Sequence, residues 1–176
     1  MDFSTLKAMS IPQSEVVKIE VNGVVVWEMP SSYKNWVPYS INADGTIYNN
    51  GLGYKEKYRL RSGGAEGAAD RVVITGFIPL KIGDTLRISP AFNGGNTWNT
   101  LNFYDSSFTH LGQVTDSGSY YGICNSSYKT SVINGVSTLT LTSTHNSTIA
   151  WVRIGHDLER LLTGANVIVT VNEEIS

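Results

Sequence analysis

The chain has 176 residues, enough for one well-buried domain of ordinary size plus a small appendage. Charged residues make up 16%, under the roughly 25% of an average soluble protein, and 17 glycines suit a chain of short strands and turns. A net charge of −2 without a basic cluster speaks against nucleic acid and anionic membrane surfaces as partners, and no stretch approaches the roughly 20 apolar residues that insert into a bilayer.

Residues 1–12 alternate little and end at Pro12, so they read as an extended or briefly helical arm. They carry neither the basic start nor the apolar core of a secretory signal, and synthesis in the cytoplasm is the expectation. Residues 15–28, EVVKIEVNGVVVWE, are two alternating β-branched runs around Asn22-Gly23, the strongest short hairpin signal. Val17, Ile19 and Val21 share one face of the first strand; on the return strand Val24 and Val26 share a face, with Val25 and Trp27 opposite. A lone two-stranded ribbon is marginal in water, and one that is apolar on both faces needs cover from the next domain or from another chain. Residues 1–30 are therefore expected to be an attachment or oligomerisation segment. Pro30 bars further pairing, residues 31–35 read as a linker, and 36–176 as the main domain.

From Trp36 onward, short apolar runs recur between turn residues. Strands are expected at WVPYSI, TIYNN, KYRLRS, RVVITGFIPL, TLRISPAF, TLNFYDS, THLGQVT, STLTLTS, IAWVRIG and NVIVTVNEEI. NADG, NNGLG and KIGD supply residues tolerant of positive φ between them. This pattern predicts an all-β fold, a jelly-roll-like antiparallel β-sandwich. Val73, Thr75 and Phe77 should face one way and Val72, Ile74 and Gly76 the other; Leu86 and Ile88 should enter the core with Arg87 outward, and Arg153 interrupts apolar neighbours in the same manner. One helix is expected, HDLERLLTG at 156–164, with Asp157 as N-cap, Leu158, Leu161 and Leu162 on one face and Gly164 as the stop.

Catalytic signatures are missing. There is no G-x-S-x-G elbow and no phosphate-binding loop. His110, His145 and His156 stand singly, without the compact spacing of zinc ligands. Asp44, Asp84, Asp105 and Asp116 sit in turns, where capping roles are ordinary. NADGTI stops short of a calcium loop and reads as a tight turn. Cys124 is the only cysteine, which excludes an intramolecular disulfide, and it reads as a buried small hydrophobe. The expectation is a non-enzymatic protein without metal or cofactor.

Two loops carry the remaining chemistry. In AFNGGNTWNTLNFY, Asn93, Asn96 and Asn99 surround Trp98; DSGSYYGICNSSYK adds Tyr120, Tyr121 and Tyr128. An aromatic plate for the C–H face of a pyranose, with amides for its hydroxyls, is what sugar recognition requires. The same residues would equally plug a core edge or suit a protein–protein paratope.

The segments YKEKYRLRS, VVITGFIPLKIGDTLRIS, LNFYDSSFTHLG, IAWVRIG and VIVTVNEEI together resemble a β-sandwich module of tail and baseplate structural proteins in phages and prophages of gut Firmicutes. The ribbon IPQSEVVKIEVNGVVVWE is similar to a short segment such proteins carry, with Ser14 where glycine is usual. The resemblance implies a virion component of tail, baseplate or fibre, made in the bacterial host, with other virion proteins and copies of itself as partners. It implies a carbohydrate-binding-module-like architecture that binds host-surface glycan, and a structural calcium ion as such sandwiches often hold. The alternative it leaves is a capsid or tail decoration module with no ligand of its own.

Overall fold

The computed structural model describes residues 18–21, 24–28, 34–92, 95–157 and 167–175, and the chain divides into two units, Met1–Ser32 and Tyr33–Ser176. In the first unit, β1 (Lys18–Val21) and β2 (Val24–Glu28) pair antiparallel where the alternation placed them. Val21 lies opposite Val24, but the register slips between Ile19 and Glu20, so Ile19 faces Trp27. Val26 belongs to the same return strand, and Val17 lies outside the described residues.

The second unit is a sandwich of two antiparallel sheets. The larger contains β3 (Tyr54–Leu60), β4 (Glu66–Thr75), β5 (Ile78–Pro79), β7 (Thr100–Tyr104), β8 (His110–Thr115), β9 (Tyr120–Gly122) and β12 (Trp151–Asp157). Their order is β3-β4-β12-β7-β8-β9, with β5 joined to β12. The smaller sheet runs β10 (Ser131–Ile133), β11 (Val136–Thr140), β6 (Thr85–Ser89), β13 (Ile168–Val171). Alternation assigns the facing residues. Leu86, Ile88, Leu139 and Val169 from the smaller sheet meet Val73, Leu101, Phe103, Val114, Val152 and Ile154 from the larger, all buried in one cluster. Arg87, between Leu86 and Ile88, is half-buried, as its position predicts.

The outer face of the larger sheet is also covered. It carries buried polar groups: Asn102, Gln113 and Arg153. The cover is the far end of the β3–β4 hairpin. A bulge at Lys57, whose φ is 59°, breaks the pairing between Glu56 and Tyr58. Beyond it, Gln113 Nε2 donates to Leu60 O at 3.0 Å and Arg61 O at 3.2 Å, and the Tyr104 hydroxyl donates to Gly64 O at 3.4 Å. A second apolar cluster of Tyr48, Leu60, Val72 and Ile74 forms under this cover. The segment 71–80 is therefore apolar on both faces for a structural reason: Val73 fills the inter-sheet core, while Val72 and Ile74 fill the second cluster.

Three expectations change. WVPYSI is not a strand: Val37–Tyr39 is a single 3-10 turn with Pro38 in its first turn, and Ile41 makes only isolated bridges to Ile47 and Phe77. TIYNN is likewise mostly turn, with Asn49 and Asn50 at positive φ. His156 and Asp157 complete β12, opposite Val73 and Val72, so the run expected to open a helix at His156 begins in strand. Leu158, Leu161, Leu162 and Gly164 lie outside the described residues. The start of the sandwich is stitched to its last strand: Trp36 N–H donates to Val169 O at 2.7 Å, and the Asn35 side chain bridges Val167 O and Val169 N–H.

Candidate functional site

Two clefts open on the outer face of the larger sheet, and both use the β3–β4 hairpin as a wall. The first is a groove of about 270 Å³, lined by Arg59–Ser62 from the hairpin, Thr97 and Trp98 before β7, Gln113 and Thr115 from β8, Ser119, and Tyr121 from β9. Register explains the meeting of the two predicted aromatic loops. Tyr121 lies opposite Gln113, so both side chains share the outer face. Trp98 enters from the loop before β7, packs against the Val72–Ile74 cluster and remains half-buried. Tyr121 is 44% exposed. The rim carries Arg59, whose guanidinium carbon is 5.6 Å from the Trp98 ring centroid.

The asparagines expected to serve a sugar are committed to the loop itself. Asn96 Oδ1 accepts from Trp98 N–H at 2.8 Å, and its Nδ2 donates to Asp157. Asn99 is fully buried, with Oδ1 accepting from Asp157 N–H at 2.7 Å. Both hold Trp98 in place instead of facing the groove. Asn93 lies outside the described residues. Tyr120, opposite Val114, is exposed but does not line the groove. Tyr128 is core: it is 2% exposed, with its hydroxyl accepting from Asn146 N–H and its ring edge-on to Phe103 and His145. Sequence reasoning missed Arg59 and Arg61, which reach the groove through a bulged hairpin folding back, and Gln113 and Ser119, which strand pairing sets beside Tyr121.

The second cleft, about 630 Å³, is lined by Asn42, Thr46–Gly51, Lys55 and Glu66. Glu66 is the one acidic residue among the described residues that line it, and three groups hold that carboxylate. Arg153 Nη2 lies 2.7 Å from Oε1, Lys55 Nζ 3.0 Å from Oε2, and the Tyr48 hydroxyl donates to Oε1 at 2.5 Å. Burial alone would raise the Glu66 pKa, but these three hydrogen bonds and the Arg153 charge outweigh it and bring it to about 2. Burial chiefly, with the bond to Glu66, pushes the Tyr48 hydroxyl up. A carboxylate kept ionised and bound on both oxygens is a structural anchor; it has no spare proton to give.

The histidines are structural as well. His145 Nδ1 accepts from Thr142 N–H at 2.9 Å, leaving Nε2 to donate to Ser127 O at 3.0 Å. His156 is buried between two carbonyls, Pro90 O and Asp157 O, and burial lowers its pKa. Burial likewise lowers that of His110, which reaches Asn102 at 3.2 Å. Burial raises the Asp116 carboxyl against the pull of Lys129 and of the Asn96 and Gly95 amides. Among the described residues, no three His, Cys, Asp or Glu side chains gather as a metal site. The NADG stretch is a turn closed on itself, with Asp44 Oδ1 accepting from Thr46 N–H at 3.0 Å and Thr46 Oγ1 at 2.6 Å. Compared with protein-family models, curated proteins and solved structures, the chain matches none.

Proposed function

We propose that this protein is a non-enzymatic carbohydrate-recognition module, displayed by a phage tail, baseplate or fibre, that binds host-surface glycan through the Trp98–Tyr121 groove. One observation carries the sugar half of this reading: a half-buried indole from the loop before β7 and an exposed phenol from β9 line one groove with amide and hydroxyl groups. That combination offers a flat apolar surface and hydrogen-bonding groups within the span of a short saccharide. The virion half rests on the sequence resemblance and on the apolar N-terminal ribbon, which would fix the protein to other virion proteins or to copies of itself.

A glycan array probed with the full chain tests the sugar half. Trp98→Ala and Tyr121→Ala, each with an unchanged far-UV circular dichroism spectrum, should abolish specific signals. Signals that survive both substitutions overturn the proposal. The ribbon is tested by deleting residues 1–30 and measuring mass by light scattering. An unchanged oligomeric state with unchanged particle incorporation ends that part of the reading.

A second reading, a decoration module without a ligand, draws on a different surface. Val132 and Ile133, 60% and 53% exposed, lie on β10 at the edge of the smaller sheet, where another chain's strand would find open hydrogen-bonding groups. A silent array favours this reading.

A further inference from the structure

The charge on the groove wall goes beyond sugar recognition in general. Arg59 and Arg61 both line the groove, and among the described residues no aspartate or glutamate does. Two other arginines of the sandwich answer carboxylates: Arg153 pairs with Glu66, and Arg87 with Glu174. Lys55, on the other cleft, is also held by Glu66. Among the described residues, no carboxylate pairs with Arg59 or Arg61.

Gly67 is neighbour to both arginines. It stands directly opposite Arg59 across the β3–β4 ladder, so the Arg59 side chain rises from the face on which Gly67 presents bare backbone. The Arg61 guanidinium lies over that same spot: a Cβ on Gly67 would fall 2.6 Å from its Nε and 2.9 Å from Nη2. The Arg61 guanidinium is therefore seated over Gly67, where any larger residue would displace it, while Arg59 starts from the position opposite and leans toward Trp98.

We infer that the groove selects acidic saccharides: the sugar ring lies on Trp98 and its carboxylate or phosphate is held by Arg59 and Arg61. This rests on the carbohydrate-binding reading above and names the class of sugar. Guanidinium groups match both anions by paired, charge-assisted hydrogen bonds, and two of them without a carboxylate neighbour favour an anion over a neutral hydroxyl. Carboxylate and phosphate share this chemistry, and the probes separate them.

The test is titration of the full chain by isothermal calorimetry with an oligogalacturonate, a poly(glycerol phosphate) and a neutral galacto-oligosaccharide of matched length. The expected result is binding of at least one acidic probe, with affinity at least tenfold above the neutral sugar. Arg59→Gln with Arg61→Gln should remove at least tenfold of that affinity, and Gly67→Ala, which keeps both charges but displaces Arg61, should weaken it several-fold. Trp98→Ala should abolish it, and circular dichroism should report an unchanged fold for every variant. Which acidic probe binds identifies the anion. Neutral sugar bound as well as acidic, in a Trp98-dependent way, overturns the inference and leaves the carbohydrate reading standing. Acidic binding indifferent to the arginine substitutions overturns it too. Silence with all three probes overturns it, and silence extended to a full glycan array removes the carbohydrate reading as well.

Discussion

Arg153 of β12 and Glu66 of β4 meet at 2.7 Å on the outer face of the larger sheet, with Arg153 only 6% exposed. The guanidinium also donates from Nε to Thr75 O at 3.0 Å and lies 5.0 Å from the Tyr48 ring centroid and 5.2 Å from that of Phe77. A charge so enclosed needs its partner. Glu66→Gln keeps the shape and removes the charge, and it should destabilise the sandwich by about 3 kcal/mol, because an uncompensated buried cation remains. Urea denaturation followed by tryptophan fluorescence measures this.

The same pair sets an acid limit. The Glu66 pKa lies at about 2 in the folded protein, below its ordinary 4.5, so the unfolded chain takes up a proton first. The stabilisation is therefore complete above about pH 4.5 and drains away as pH falls toward 2. Stability of the parent protein should fall across that window, and Glu66→Gln should flatten the fall. An equally steep acid profile in the variant would contradict the assignment.

Gln113 holds the hairpin cover by donation alone. Its Nε2 faces Leu60 O, Arg61 O and, at 3.1 Å, Asn102 Oδ1. Gln113→Glu sets a carboxylate against these acceptors and should cost about 3 kcal/mol at neutral pH. The buried carboxyl would hold its proton more tightly when folded, so the penalty should shrink as pH falls from neutral toward about 4, the range of a free glutamate, and be largely gone below it. Thermal melts at pH 7 and pH 4 check both the size and the sign.

Gly53 and Gly45 both have positive φ, 74° and 83°, but only one is enclosed. A Cβ on Gly53 would fall 1.8 Å from Val37 O, whereas nothing lies within 4 Å of one on Gly45. Gly45→Ala should cost about 1 kcal/mol for the backbone alone. Gly53→Ala should cost at least about 3 kcal/mol, since the 3-10 turn must shift as well. Thermal melting of the two variants side by side separates strain from collision.

Cys124 is 8% exposed, and burial pushes its thiol up to about 12. The folded protein should react with a chromogenic disulfide reagent at least 100-fold more slowly than the urea-unfolded chain. Comparable rates in the two states would show that this core position is open.

The sandwich core was legible because period-two alternation assigns a face wherever one side is buried, as in Leu86, Arg87 and Ile88. Strand ends were less so. Residues 36–41 have strand composition, yet Pro38 and the Asn35 side chain bend them into a turn. β10 and β9 escaped notice because they are three-residue edge strands, although Asn134-Gly135, both at positive φ, is a hairpin signal of the same kind as Asn22-Gly23. Trp98 and Tyr121 were identifiable as chemistry but not as neighbours. Their meeting depends on sheet order, and the arginine wall depends on the bulge at Lys57, neither of which local pattern encodes.

Trp36 reaches Val169, and the Lys34 amide donates to the Glu173 carboxylate, so the polypeptide enters and leaves the sandwich along one seam. A short peptide bridge across that seam would close residues 34–175 into a ring without disturbing any ladder. The ring could then be reopened at the exposed Asp44-Gly45 turn. The same body could thus be spliced into a surface loop of an unrelated carrier, presented on a two-stranded stalk in place of a single tether.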